Sequence, residues 1–497
     1  PFKGINHLFW NIGSLVMISR RCRIATVLTR RYKSVQAAQT QTQWRSNSPA
    51  SLFASYPPTQ ISVTKNGVRV ATETLPGKTA TVQIWINAGS RYETEETNGV
   101  AHFLEHLKFK GTAKRTRVAL ETEVEDIGAH LNAYTSREHT VYFASVFKDD
   151  VPQAMDILSD ILQNSVLDPG AIERERDVIL RELKEVESIP EEVVIDRLHE
   201  AAFRDQPLGR TILGPVKNIS KTINRDMLRA YISKHYTADR ILVVGAGAID
   251  HQQLVALTEK HFANLPQAPS EPVVLAPALF TGSDTRERQD DMNKAYFAIG
   301  YPTAGFNSPD SIPLLYLQTL LGKWDRNSTS QAVPSTVARF SHSGMISSVT
   351  KAECVDKITP FNSQYTDTGL FGVYVESRPH FMNEAVYQIM EEITRLSYEL
   401  DDDQVSIARH MLKAACLTSL DGTTTLADEI GRQVLCHGRR IHPSEIVARI
   451  DDCDTAAIRN CAVKYLQDTD VAVSAFGAIH EMPDYNYIRR RTYWNRY

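Results

Sequence analysis

The feature that most constrains the fold of this chain is an internal duplication with a period near 230 residues. Tyr134-Thr135 followed by Val141-Tyr142-Phe143 corresponds to Tyr365-Thr366 followed by Gly372-Val373-Tyr374, at an offset of 231. Residues 152–162 match 383–393 at the same offset, with Ala154 over Ala385 and Leu158 over Ile389. Farther on, Leu228-Arg229 matches Ile458-Arg459, Lys234 matches Lys464, and Gly247-Ala248-Ile249 matches Gly477-Ala478-Ile479, all at an offset of 230. No single match is strong, but a near-constant offset across four elements is hard to obtain by chance. The chain should therefore fold as two copies of one unit. Alternating runs such as Thr81-Val82-Gln83-Ile84-Trp85-Ile86 are interleaved with amphipathic helical patterns, so each copy reads as an α/β unit. The join falls at 267–284, which is rich in Pro, Ala and Ser and lacks periodicity. The expected organisation is an extension over 1–50, one copy over 51–266, a linker over 267–284 and a second copy over 285–497.

The extension differs in charge from everything after it. Residues 1–50 hold eight basic residues and no Asp or Glu, and the first acid is Glu73. A basic, acid-free, Ser/Thr-bearing segment has the character of a mitochondrial transit peptide. Of the 55 basic residues, 47 then remain against 59 acids. An acidic body steers basic ligands toward itself and argues against nucleic acid as a partner. The six cysteines form no C-x-x-C pair, so no disulfide framework is expected. No apolar run approaches the length of a membrane span, so the chain should carry no transmembrane segment of its own.

The chemistry is concentrated in His102-Phe103-Leu104-Glu105-His106. On a helix, His102 and His106 lie one turn apart on one face, and Glu105 shares that face. Two imidazoles so spaced can hold one Zn²⁺, and an adjacent carboxylate can take a proton from water. This order, H-x-x-E-H, is the inverzincin signature. Thr97-Asn98 offers a start for the helix, with Asn as its cap. A catalytic zinc needs a third protein ligand, expected from another helix. Residues 171–187 carry a helical pattern, with Asp168 as cap and Pro169 in the first turn. Glu175 and Glu182 lie seven residues apart, nearly in line along it. Spacing alone does not choose between them. Gly245-Ala246-Gly247 after a strand lacks the third glycine of a dinucleotide fingerprint and reads as a structural turn.

Several further motifs accompany the first: Phe109-Lys110-Gly111-Thr112, Leu131-Asn132-Ala133-Tyr134-Thr135-Ser136-Arg137-Glu138, Glu173-Arg174-Glu175-Arg176-Asp177, Gln206-Pro207-Leu208-Gly209 and Ser363-Gln364-Tyr365-Thr366-Asp367-Thr368-Gly369-Leu370. Together they resemble the inverzincin (pitrilysin-like) family of metallopeptidases, in its branch of mitochondrial processing peptidase beta subunits and respiratory complex III core subunits. The resemblance runs from about residue 55 to near the C-terminus. It implies two α/β domains, each a mainly antiparallel sheet flanked by helices, facing across a cavity, with one catalytic. It implies Zn²⁺ held by His102, His106 and Glu182, with Glu175 in support and Glu105 as the base. It implies substrate binding along Asn132, Ala133 and Tyr134, and a weaker role for Tyr365 in polarising the scissile carbonyl. Arg30-Arg31-Tyr32-Lys33-Ser34 resembles the site that such a peptidase cuts. In the second copy the offset carries the histidine motif onto Val333-Pro334-Ser335-Thr336-Val337 and Glu182 onto Lys413, so that copy should lack the metal.

The expected substrate is a basic presequence peptide, whose arginines Glu191 and Glu192 would meet; an ordinary solvated helix face is the competing account of those acids. The expected partner is the alpha subunit of the peptidase, or core subunit 2 of complex III, because 321–340 has a single Gly where the alpha subunit carries a glycine-rich loop. The resemblance places the chain in the mitochondrial matrix, or on the matrix face of the inner membrane beside cytochrome and iron-sulfur subunits. Two alternatives compete with an active peptidase subunit. One is a structural core subunit with little activity. The other is a self-sufficient peptidase of the insulin-degrading type, which would need a chain about twice as long.

Overall fold

A computed structural model describes residues 56–327, 341 and 343–493. The expected basic extension and the second-copy counterpart of the histidine motif, 333–337, lie outside the described residues.

Two six-stranded mixed sheets organise the chain. The first contains β1 (Gln60–Val63), β2 (Arg69–Thr74), β3 (Thr79–Ile86), β4 (His130–Thr135), β5 (Thr140–Phe147) and β6 (Ile241–Gly247), in the order β1-β2-β6-β3-β5-β4. The second contains β7 (Asp284–Arg288), β8 (Ala295–Thr303), β9 (Trp324–Asp325), β10 (Val355–Gln364), β11 (Gly369–Ser377) and β12 (Ala472–Gly477), in the order β7-β12-β8-β11-β10-β9. Each sheet has one parallel contact, β2 with β6 and β7 with β12, and is otherwise antiparallel. The duplication read from the sequence is therefore a duplication of topology.

The helices of the first half are α1 (Val100–Lys108), α2 (Arg117–Asp126), α3 (Val151–Gln163), α4 (Pro169–Glu187), α5 (Pro190–Ala202), α6 (Arg225–His235) and α7 (His251–Phe262). Among the described residues, those of the second half are α8 (Ser311–Leu321), α9 (Gly344–Ala352), α10 (Met382–Arg395), α11 (Asp402–Thr418), α12 (Thr423–His437), α13 (Pro443–Asp452), α14 (Thr455–Leu466) and α15 (Tyr485–Arg490). The matched segments occupy the same places in both halves: α3 and α10, α6 and α14, and the ends of β6 and β12. Gly247 and Gly477 close those two strands with φ of +101° and +94°. A Cβ on Gly247 would sit 2.6 Å from the Thr79 carbonyl oxygen, and one on Gly477 2.7 Å from that of Lys294. The glycine turn is thus a strand terminator that only glycine fits, present in both copies.

Each sheet packs its own half's helices on one face. Val82, Ile84, Tyr142 and Val243 bury against Phe103, Leu158 and Leu228 in the first core. Phe297, Ile299 and Val373 bury against Leu317, Ile389 and Ile458 in the second. The opposite face of each sheet is covered by a helix from the other half. α5 lies on the second sheet, with Val194, Leu198 and Ala202 against Ala298, Leu370 and Phe476. α12 lies on the first, with Leu426, Ile430 and Val434 against Ala71, Trp85 and Leu242. These two helices are equivalents in the duplication, so the halves exchange one helix reciprocally. Among the described residues, β4 is an edge strand, paired with β5 alone. No described helix is long and apolar enough to cross a membrane, and the five described cysteines are free thiols.

Candidate metal centre

α1 begins differently from expectation. Asn98 is not the cap. Gly99, at φ +101°, turns the chain so that its own N–H and that of Ala101 both donate to the buried carboxylate of Glu93, at 2.9 and 2.7 Å. The Asn98 amide donates to the same carboxylate and to the Thr211 carbonyl. A carboxylate six residues back in sequence does the work of a cap because the left-handed glycine aims the first amides at it. Burial pushes the Glu93 carboxyl up to about 7, against the pull of these donors. α4 begins as expected, with Asp168 accepting from the Ala171 amide at 2.8 Å.

The two helices pack side by side and bring four side chains together. Nε2 of His102 lies 3.7 Å from Oε1 of Glu182, and Nε2 of His106 lies 3.0 Å from Oε2 of the same residue. The two imidazole centroids are 4.8 Å apart. Among the described residues, one nitrogen from each histidine and one oxygen of Glu182 all fall within 4.8 Å of one another. Nδ1 of His106 faces Glu175 at 3.4 Å, and the other Glu175 oxygen holds Lys110 Nζ at 2.8 Å. Burial acts against the charge of His106, but its bonds to Glu175 and Glu182 outweigh it and push the imidazole up to about 9. Glu182 is held well below the usual carboxylate range, because the bonds to His102 and His106 overcome its burial. Glu182 approaches both histidines, whereas Glu175 approaches only the outer nitrogen of one.

The donor set suits a divalent metal. Tetrahedral bonds of about 2.1 Å need ligand atoms roughly 3.4 Å apart, and the carboxylate stands 3.0 and 3.7 Å from the two imidazoles. Nδ1 of His102 is buried and has no hydrogen-bond partner. Two nitrogens and one carboxylate oxygen at partial burial form a borderline-soft set that prefers zinc-like ions over Mg²⁺ or Ca²⁺.

Glu105 belongs to the same helix but does not join the ligand cluster. Its Oε2 accepts a 2.6 Å hydrogen bond from Thr135 Oγ1, at the end of the edge strand β4. Of the expected substrate positions, Asn132 and Ala133 lie on this edge strand. Tyr134 lies there too, but its ring is on the opposite face, edge-on to Trp85 and with its hydroxyl 3.4 Å from Asp428 of α12. Glu191 is ion-paired with Lys357 of the second half at 2.5 Å. Glu192 stands beside it in the first turn of α5. Among the described residues, Tyr365 makes its side-chain hydrogen bond away from this cluster. Its buried hydroxyl is bonded to His199 Nε2 at 2.7 Å. Burial pushes that hydroxyl up to about 12 and the His199 imidazole well below its ordinary value. Glu93 and His199 were not singled out in the sequence, and Lys110 and Thr135 entered only as parts of longer motifs, with no role assigned. Only Glu93 had a local signal, as an acid just upstream of a helix start. Lys413, the counterpart of Glu182, is paired with Asp451, so the second half has no matching carboxylate there.

Two similar mixed sheets, with a His-His-Glu cluster between two helices of the first half, have the character of a metallopeptidase. The chain matches "Insulinase (Peptidase family M16)" over residues 69–216 and "Peptidase M16 inactive domain" over 222–412. It belongs to peptidase family M16, whose metallopeptidases use a divalent metal. Within that family it is 48% identical over 462 residues to a probable mitochondrial-processing peptidase subunit beta of Arabidopsis thaliana, covering 90% of this chain and 85% of the other. It is 49% identical to the Lentinula edodes subunit beta over 87% of this chain and 93% of that one, and 43% identical to the Bos taurus subunit beta over 90% and 89%. Among solved structures it resembles a chain of complex III from Candida albicans, with TM-score 0.77 and 26% identity, over 87% of this chain and 99% of that chain. These named relatives place the chain in the mitochondrion.

Proposed function

We propose that this chain is the catalytic subunit of a zinc metalloendopeptidase that removes basic N-terminal presequences from imported mitochondrial precursors. The observation that carries the reading is the meeting of His102, His106 and Glu182 within 4.8 Å on the half that also bears Glu105. His102, His106 and Glu182 would hold the metal. Zinc, when bound, supplies a Lewis acid that acidifies water and polarises a peptide carbonyl. Glu105 takes the proton of the attacking water and passes it to the leaving amine nitrogen. Glu175 fixes the orientation of His106 through its outer nitrogen, and Lys110 balances the charge of Glu175. The substrate lies extended along β4 at Asn132, Ala133 and Tyr134, using main-chain hydrogen bonds of the open edge. Arginines of the presequence compete with Lys357 for Glu191 and meet Glu192, drawn in by the acidic body. Tyr365, held on His199, braces the second half against α5 in this reading.

The chain works with an alpha-type partner in the matrix. A second reading, that it also serves as a core subunit of complex III, is favoured by the near-complete coverage of the Candida albicans complex III chain. The two are compatible, since the cluster is complete. The first is tested by combining the zinc-loaded chain with its alpha-type partner and a basic presequence peptide. Cleavage is expected with the parent, and about 10²- to 10⁴-fold slower with Glu105→Gln. Equal cleavage by both refutes the mechanism. Co-purification with cytochrome and iron-sulfur subunits at near-equal stoichiometry tests the second reading.

A further inference from the structure

Resting on the assignment of Glu105 as base, we propose that Thr135 is a positioning residue that aims this base from the peptide-binding edge. The alternation of β4 divides its side chains between two faces. Ala133 belongs to the first core, which also contains the buried side chains of α1. Tyr134 turns to the opposite face, toward α12. Thr135 returns to the α1 side, and its hydroxyl donates to Glu105 Oε2 at 2.6 Å. The bond is short because the acceptor is a carboxylate. The terminal torsion of a glutamate is broad, so an untethered Glu105 would sample many orientations. A tether on Oε2 leaves Oε1 as the oxygen that takes the proton.

The tether is itself anchored. Thr135 pairs with Thr140 at the last rung of the β4–β5 ladder. The next residue closes the hairpin, with the Ser136 amide donating to the His139 carbonyl at 2.8 Å. A peptide added to the edge of β4 would order the strand that carries the hydroxyl. Substrate docking and base orientation are thereby joined through one side chain. Valine has the shape of threonine without the donor, and serine keeps the donor without the methyl.

The test uses the zinc-loaded chain with its alpha-type partner and a fluorogenic basic presequence peptide, comparing the parent with Thr135→Val, Thr135→Ser, Glu105→Gln and Glu105→Ala. Thr135→Val should lower kcat about ten- to a hundredfold, with KM and zinc per chain unchanged, and Thr135→Ser should recover most of the loss. In thermal unfolding, the Tm shifts of Thr135→Val and Glu105→Ala should add to more than that of the double variant, because both break the same bond. Full activity of Thr135→Val beside an inactive Glu105→Gln overturns this inference alone. Strictly additive Tm shifts, or loss of zinc from Thr135→Val, overturn it as well. An active Glu105→Gln overturns the base assignment and this inference with it.

Discussion

At the scale of single residues, the metal cluster is a balance of charges at partial burial. Glu182 faces both histidines and Glu175 faces one of them from behind. Removing each should have a different consequence. Glu182→Ala deletes a proposed ligand, so stoichiometric zinc binding is expected to disappear in equilibrium dialysis. Glu175→Gln leaves the ligands in place but loosens His106. Zinc affinity should fall about 10- to 100-fold, while saturating zinc still restores one ion per chain, as read by chelator competition. Glu105→Gln should keep its zinc and lose about 10²- to 10⁴-fold in turnover. The ligand helix was legible at this scale, because an i, i+4 histidine pair needs only local geometry. Lys110 and Thr135 were not, because nothing in the sequence says which charged or hydroxyl group will fold back onto a given carboxylate.

At the scale of elements, the exchanged helices set the most specific packing demands. α12 approaches the first sheet so closely that a Cβ on Gly431 would lie 2.2 Å from the Trp85 indole. Gly431→Ala must lift the helix or turn the indole, and should cost about 1–3 kcal/mol in chemical denaturation despite alanine's better helix propensity. The same helix places Asp428 over the sheet, where it accepts from Gln83 Nε2 at 2.9 Å. Burial pushes this carboxyl up to about 6 from its usual 3.8, against the lowering effect of Gln83 and Tyr134. A raised carboxyl favours the fold while protonated, and that contribution drains away as pH rises through about 6. Relative to the parent, Asp428→Asn should therefore gain stability between about pH 4 and pH 7, by at most about 3 kcal/mol. Urea midpoints at the two pH values measure this, and a constant difference would contradict it. Amphipathic periodicity in the sequence identified helical segments here, but the partner of each apolar stripe is not a local property. A helix with one apolar face fits either of two similar sheets.

At the scale of the whole molecule, ion pairs made by buried arginines cross between the halves. Arg91 pairs with Glu138 of its own half at 2.7 Å and grips Asp367 of the other with two 2.7 Å hydrogen bonds. Arg440 pairs with Glu73 at 2.9 Å, where both side chains are almost wholly buried. With the exchanged helices, these contacts make independent unfolding of one half costly. Arg91→Ala leaves Glu138 buried without its cation, and should cost about 3–5 kcal/mol. Denaturation of the variant is expected to remain one cooperative transition at lower urea. A separate early transition for the second half would contradict the interlocked arrangement.

The duplication, the strand and helix alternation, the one-turn histidine pair and the glycine strand terminators were determined by the sequence itself. Periodicity, spacing and backbone φ are local or repeat-level properties, and each leaves a mark within a few residues. The tertiary structure alone decided that Glu93 rather than Asn98 caps the histidine helix and that α5 and α12 trade sheets, and it showed Glu182 meeting both histidines, which spacing had left open and the family resemblance had implied. Each of those outcomes depends on the relative placement of segments far apart in the chain, which is set by burial and charge pairing across the fold.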